Sequence, residues 1–148
     1  MTDLHEIEER AVDSPSPWAK KHVEQYLESG GEAVEHPMED RLILFYVTGR
    51  QSGDIRRVPL VHFTDGDDMF IVASKGGAPD DPEWYRNLVA DPRVWVRFKG
   101  DFFEARAEVL SPEERAPAWG MITAIAPSFG DYQAKVDRVI PVVRLRRV

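Results

Sequence analysis

The chain has no cysteine, which excludes disulfides, thiolate nucleophiles and cysteine-ligated metals together. Its four histidines, His5, His22, His36 and His62, show none of the spacings of a metal site, so no metal is expected. No apolar run approaches the ~20 residues that a membrane span needs. The N-terminal stretch Met1 to Glu9 is acidic and lacks the apolar centre of a signal peptide, which points to a cytoplasmic protein. Positive charge is also in deficit, with 19 Lys and Arg against 26 Asp and Glu and a net charge of −7. Phosphate neutralisation supplies most non-specific nucleic-acid affinity, so no nucleic-acid partner is expected. Internal repeats and low-complexity tracts are missing as well.

What remains is the composition of an ordinary globular protein: 148 residues, 43% hydrophobic and 30% charged. That length reads as one domain over 1–148, large enough to bury a core without staples. The few cations are unevenly placed. Arg50, Arg56, Arg57 and Lys75 lie in or beside two short loops, while the first forty residues and the turn at 65–68 are acid-rich. A local basic cluster on an acidic chain suggests one discrete anionic ligand.

The first loop, Thr48 to Arg57, follows the apolar run Leu42 to Val47. The second, Ala73 to Pro79, follows Met69 to Val72. Both combine glycines, hydroxyls and cations just past a buried strand. Glycine lets backbone N–H groups approach a ligand, such turns form anion-binding concavities, and arginine adds a fork matching phosphate or carboxylate oxygens. Turns favour the same residues without any ligand, and the spacing does not name one.

Residues 1–14 show no apolar periodicity and are expected to be mobile. Ser16-Pro17 starts a helix over 16–30, with Ala19, Val23, Tyr26 and Leu27 on one face and Gly30-Gly31 as its stop. Trp18 and Trp119 are assigned to packed helix faces. Glu32 to Asp40 reads as a linker lying over the fold. From residue 41 six strands are expected: 42–47, 58–63, 69–73, 94–99, 103–109 and 140–145. Asp65-Gly66 and Gly100-Asp101 make the turns of two antiparallel pairs. Helices begin at Asp81-Pro82, burying Trp84 and Leu88, and at the capping box Ser111 to Glu114, carrying Ala116, Trp119 and Ile122. Pro127 ends or kinks the latter, and Gly130-Asp131 begins a further turn. The sum is an α+β, mainly β fold: a small, partly open barrel of about six antiparallel-rich strands over 41–148, with peripheral helices.

The order of the motifs resembles the deazaflavin (F420)-dependent nitroreductase family of small actinobacterial oxidoreductases. The residues that carry the resemblance are Thr48-Gly49-Arg50-x-Ser52-Gly53-x-x-Arg56 with Pro59-Leu60, then Ala73-Ser74-Lys75-Gly76-Gly77-Ala78-Pro79. They continue with Pro82-x-Trp84-Tyr85-x-Asn87-Leu88 and Asp91-Pro92. The last are Pro127-Ser128-Phe129-x-Asp131-Tyr132-Gln133 and Asp137-Arg138-x-Ile140-Pro141-Val142.

The resemblance covers residues 18 to 148 and implies a split β-barrel, related to flavin-binding reductases and pyridoxamine-phosphate oxidases. It also implies a bound 8-hydroxy-5-deazaflavin, coenzyme F420. Arg50, Ser52 and Arg56 would then hold its lactyl-phosphate and glutamate tail, with Gln51 and Pro59 in the same motif and Lys75 adding a cation. Ala73, Ser74, Lys75, Gly76 and Gly77 would border the ring, and Trp84 and Asn87 would flank the cofactor. The implied reaction is hydride transfer to a small electron-poor acceptor: a quinone, nitroarene or activated enone. Ser74 and Tyr132 are the candidates for orienting that acceptor or delivering a proton.

Two departures stand out. Family members often carry Tyr-Pro-x-Tyr-x-x-Tyr where this chain has Ala126-Pro127-Ser128-Phe129-Gly130-Asp131-Tyr132, which implies a roomier, less polar acceptor pocket. Gln51 stands where lysine is common, removing one tail contact. A non-catalytic F420 carrier and an FMN-dependent reductase on the same barrel stay open as alternatives. So do a homodimer and a peripheral membrane contact through Trp18, Lys20 and Lys21 of the N-terminal helix.

Overall fold

The structure, a computed structural model, describes residues 3–148. Strand β2 (Leu42–Thr48) explains the apolar run that dominates the sequence. Ile43, Phe45 and Val47 point into the barrel interior, whereas Leu42, Leu44 and Tyr46 point outward beneath a layer of helices. Successive side chains alternate faces, so a strand covered on both sides must be apolar throughout. Fully burying each such side chain contributes about 2 kcal/mol.

The other strands are β3 (Ile55–Val61), β4 (Phe63–Asp65), β5 (Asp68–Val72), β6 (Arg93–Phe98), β7 (Asp101–Val109) and β8 (Val142–Arg147). With β1 (Ala11–Asp13), they form one sheet in the order β1-β3-β2-β6-β7-β8-β5-β4. Strands β3 and β4 are one run of chain bent at His62, whose N–H still donates to the Arg41 carbonyl at 2.9 Å. The run pairs with β2 at one end and β5 at the other, so the sheet returns on itself as a split barrel. The expected six strands are therefore present. The one over 58–63 starts earlier, at Ile55, and is broken at His62. Strand β8 is displaced toward the C-terminus of its expected span, because Ile140 instead enters the outer core beside Phe63 and Val142.

Two elements precede the barrel: α1 (Leu4–Arg10) and, after β1, α2 (Pro17–Ser29). This corrects the expectation of a mobile 1–14. Ile7 is buried under α2, and β1 pairs in parallel with β3, while residues 1–2 lie outside the described part. The buried stripe of α2 is Ala19, His22, Val23 and Tyr26. Leu27 is exposed, and so is Trp18 at 60%, against the assignment of both to a packed face. Lys21 pairs with Glu35 at 3.0 Å. Gly30 caps α2 in the left-handed conformation, but the Ser16 side chain makes no capping bond.

Helix α3 (Glu83–Ala90) closes one end of the barrel with Trp84 and Leu88. Helices α4 (Pro112–Ile125) and α5 (Ser128–Ala134) cover Phe63, Phe70 and Val142 on the outer face. The Ser111–Glu114 capping box forms in full, while Ala118 rather than Ala116 turns inward. Among the described residues no helix is long and apolar enough to cross a membrane, and no three side chains gather as metal ligands.

The bend at His62 has a pH signature. Burial pushes the imidazole pKa down, although its Nδ1–H donates to the Arg41 carbonyl at 2.6 Å. His36 is lowered by burial and by neighbouring His22. Below about pH 6.5 the unfolded chain takes up protons that the folded chain refuses, so stability falls as pH drops. Urea midpoints should therefore be lower at about pH 5.5 than above neutrality. His62→Asn, which keeps a donor for that carbonyl, should flatten the difference; an unchanged difference would remove His62 as its source.

Candidate functional site

The parity of the ladder brings the two loops together. Each step from β2 through β6, β7 and β8 to β5 is antiparallel, so β2 and β5 run in the same direction. Their C-terminal ends, and the loops that follow, open on one rim of the barrel. Helix α3 starts from that rim and holds the first loop through Glu83 and Asn87.

The first loop is tied internally by Gly49 N–H to the Asp54 carbonyl at 2.7 Å and Gly53 N–H to the Gly49 carbonyl at 2.9 Å. A Cβ on Gly49 would lie 3.0 Å from Ser52 Oγ, so a larger residue there would have to push the serine side chain aside. Arg50 is held from α3. Its backbone N–H and Nη1 both donate to Asn87 Oδ1, at 3.1 and 2.8 Å, and Nη2 meets Glu83 at 2.8 Å. Asn87 is itself buried, and the Arg50 hydrogen bond and charge hold the Glu83 carboxyl below its ordinary range.

The next two arginines differ sharply. Arg56 has a 42% exposed side chain, and its one carboxylate among the described residues, Asp54, is 3.8 Å away. Arg57, on the opposite face of β3, is enclosed by Asp13 and Glu8. Burial opposes its charge, but the bonds and charges of those carboxylates outweigh it and raise its pKa.

Arg50, Gln51, Ser52, Arg56, Trp84 and Asn87 line one cleft of about 400 Å³. Gly49, Arg57, Val58 and Glu83 complete it, and Val12, Ser14 and Pro15 form a further wall. Trp84 reaches from this cleft into the barrel, where its ring meets Phe45 edge-on at 5.7 Å. Pro59 is not part of the lining. Paired with Leu44, it faces the outer layer, and Val58 takes the cleft side.

The second loop forms an adjoining cluster. Lys75, Gly76 and Gly77 are consecutively left-handed, with φ of 48°, 63° and 83°. A Cβ on Gly77 would lie 3.2 Å from the Tyr132 backbone, so glycine admits α5 against the loop. Ser74 is buried, and Lys75 pairs with exposed Asp80 at 3.1 Å. Arg138 clamps the segment, donating to the carbonyls of Ala73, Ser74 and Ala78 and to Asp81 at 2.7 Å. Asp81 serves Arg138, and Pro82 occupies the cap position of α3. Tyr132 is half-buried beside Phe129, which lies edge-on to both Phe63 and Tyr132, and Ala126 is buried in the same outer core. The two positions that depart from the tyrosine pattern thus pack the fold. Sequence reasoning missed Glu83, Arg138 and the 12–15 wall. Only Arg138 carried a signal, as part of a quoted motif.

The model of the F420H(2)-dependent quinone reductase family matches residues 18–146. The chain belongs to this family. An F420H(2)-dependent quinone reductase of Mycobacterium tuberculosis (strain H37Rv) is 32% identical over 145 residues, covering 89% of this chain and 97% of the relative. The structure of an F420-H2 dependent reductase, FDR-A, is 37% identical over 72% of this chain and 94% of its own, with a TM-score of 0.66. A structure described as a domain-swapped dimer is 35% identical, covers 90% of this chain and 100% of its own, and gives a TM-score of 0.68. Relative to the motif resemblance, quinone reductase replaces nitroreductase as the family description, with F420 as the cofactor in both. Membership makes the chain an F420H(2)-dependent oxidoreductase of mixed, mainly β, split-barrel fold.

Proposed function

We propose that the cleft of the first loop holds the phosphate and glutamate tail of F420, and that the chain reduces a quinone with the reduced cofactor. The observation that supports this best is the contrast among three neighbouring arginines. Arg57 is neutralised by carboxylates, Arg50 is aimed by Asn87, and Arg56 meets Asp54 only at 3.8 Å. A cation held in place without full compensation suits a ligand that brings its own negative charge. Ser52 adds a hydroxyl, Gln51 an amide, and Trp84 and Asn87 the wall toward the ring.

When bound, the reduced deazaflavin supplies the hydride, and the protein supplies position and exclusion of water. Ala73 to Gly77 would border the flat ring, with open space at Gly76 and with Arg138 fixing the shape of the loop. On this reading the Ser74 hydroxyl and the Tyr132 phenol would orient a quinone oxygen or deliver its proton. Nitroarenes and activated enones fall within the same electronic class of acceptor.

Glu83 stands against tail binding, because it occupies one edge of the Arg50 fork. Removing its charge in Glu83→Gln should tighten F420 binding about threefold to fivefold at low salt. An unchanged affinity would show that Arg50 does not meet the tail.

The deciding experiment titrates the protein with F420 and, separately, FMN through its four tryptophans. Single-turnover oxidation of F420H2 by a soluble quinone follows. Saturation by F420 with turnover supports the assignment. Preference for FMN overturns the cofactor, and F420 binding without turnover on any acceptor leaves a carrier.

A further inference from the structure

The cleft wall formed by Val12, Ser14 and Pro15 belongs to a strap that precedes residue 18, where the family match begins. Parallel pairing of β1 with β3 sets Val12 in register with Arg56 and Asp13 with Arg57. The anchor is a closed charge network. Asp13 receives Nε and Nη2 of Arg57 at 2.6 and 2.8 Å, and Glu8 receives Nη1 at 2.6 Å. Arg97 donates to Glu8 at 3.3 Å, and the Tyr46 hydroxyl donates to the same carboxylate. Two carboxylates thus face two guanidiniums, so the anchor adds no net charge to the cleft. Beyond the anchor, Pro15 and Pro17 stiffen the exit into α2, and Ser14 Oγ accepts from Ser16 N–H at 3.2 Å.

We propose that this N-terminal strap is a specificity element: it walls the tail side of the cleft beside Arg56 and makes the protein discriminate deazaflavin with its anionic tail from deazaflavin without it. The inference rests on the reading of the cleft as the F420 tail site. Its physical basis is position. Val12 stands beside Arg56 in the β1–β3 register and lines the same cleft, so an anion held by Arg56 lies against this wall, and charges there interact the more strongly the closer they are. An element whose anchor is internally neutral can narrow the cleft without repelling the tail, although it carries two acids.

The test reverses the sign of charge on the wall in the full-length chain. Val12 is half-exposed, so Val12→Asp and Val12→Lys change the cleft with little effect on folding, checked by their unfolding midpoints. Tryptophan titration would be run with F420 and with the 8-hydroxy-5-deazaflavin nucleus lacking the lactyl-phosphate and glutamate tail. The expected result is about tenfold weaker F420 binding in Val12→Asp, tighter binding in Val12→Lys, and no shift for the tail-less nucleus. Both shifts should shrink at high salt. Should Val12→Asp fold poorly, Ser14→Asp carries the same charge to the same wall. Equal shifts for both ligands, or none for either, overturn the strap's role while the tail site stands. If the unaltered protein binds tailed and tail-less nuclei equally, the tail-site reading itself fails, and the strap proposal with it.

Discussion

Arg56→Ala is expected to weaken F420 binding by about 10- to 100-fold, the range for losing a charge-assisted hydrogen bond to an anion. Stability should hardly change, because the side chain is 42% exposed and its one carboxylate lies at 3.8 Å. If the guanidinium meets the tail, the loss is of uniform binding: KM for F420H2 rises while kcat at saturation stays near its original value. The tail-less nucleus should bind the variant as it binds the unaltered protein. Fluorescence titration, steady-state kinetics and an unfolding curve together check this. A variant with unchanged affinity for F420 would place the tail outside this cleft. A variant that loses kcat with KM intact would move Arg56 from the tail to the reacting end.

Much of the barrel was legible because its signals are local. The apolar run of β2 follows from burial on both faces, and the Asp65-Gly66 and Gly100-Asp101 turns join neighbours in sequence. The loops were legible as loops because glycine and arginine concentrate there. Their convergence on one rim was not, since it depends on counting four antiparallel steps through strands that the chain reaches in a different order. The strap was illegible for a different reason. A seven-residue helix carrying one buried apolar side chain, Ile7, is marginal on intrinsic grounds, and its stability comes from what it meets. Glu8 and Asp13 look like solvated surface acids; their partner, Arg57, is more than forty residues away. Nor does the pair Arg56-Arg57 reveal which residue faces a ligand. That is decided by the alternation of β3 together with the arrival of β1 on its free edge. Trp18 and Trp84 make the same point, each being the second residue of a helix with a proline at or just before its start. Only α3 points that position into the barrel.

Arg57→Ala should show the reverse balance from its neighbour: a large loss of stability with a smaller loss of affinity. The Arg57 side chain is 12% exposed, and those of Glu8 and Asp13 are 23% exposed each. Removing the guanidinium leaves Asp13 with no bidentate partner and Glu8 with only Arg97 and the Tyr46 hydroxyl, in a site that water reaches poorly. Breaking a buried pair from one side costs about 3–5 kcal/mol, and partial exposure here brings the expectation to roughly 2–4 kcal/mol. For a domain of this size the unfolding midpoint should fall by roughly 10 °C. Arg57→Met tests whether charge or packing is lost, because it keeps the stem that fills the space beneath the strap. If the loss comes from stranded carboxylates, Arg57→Met is nearly as unstable as Arg57→Ala, and adding Asp13→Asn and Glu8→Gln restores part of the stability to both. If those added changes restore nothing, the strap is held by Ile7 and the β1 ladder, and its acids are incidental. Affinity for F420 should fall only as far as the strap loosens. The two adjacent arginines would then separate by measurement into one that binds and one that builds.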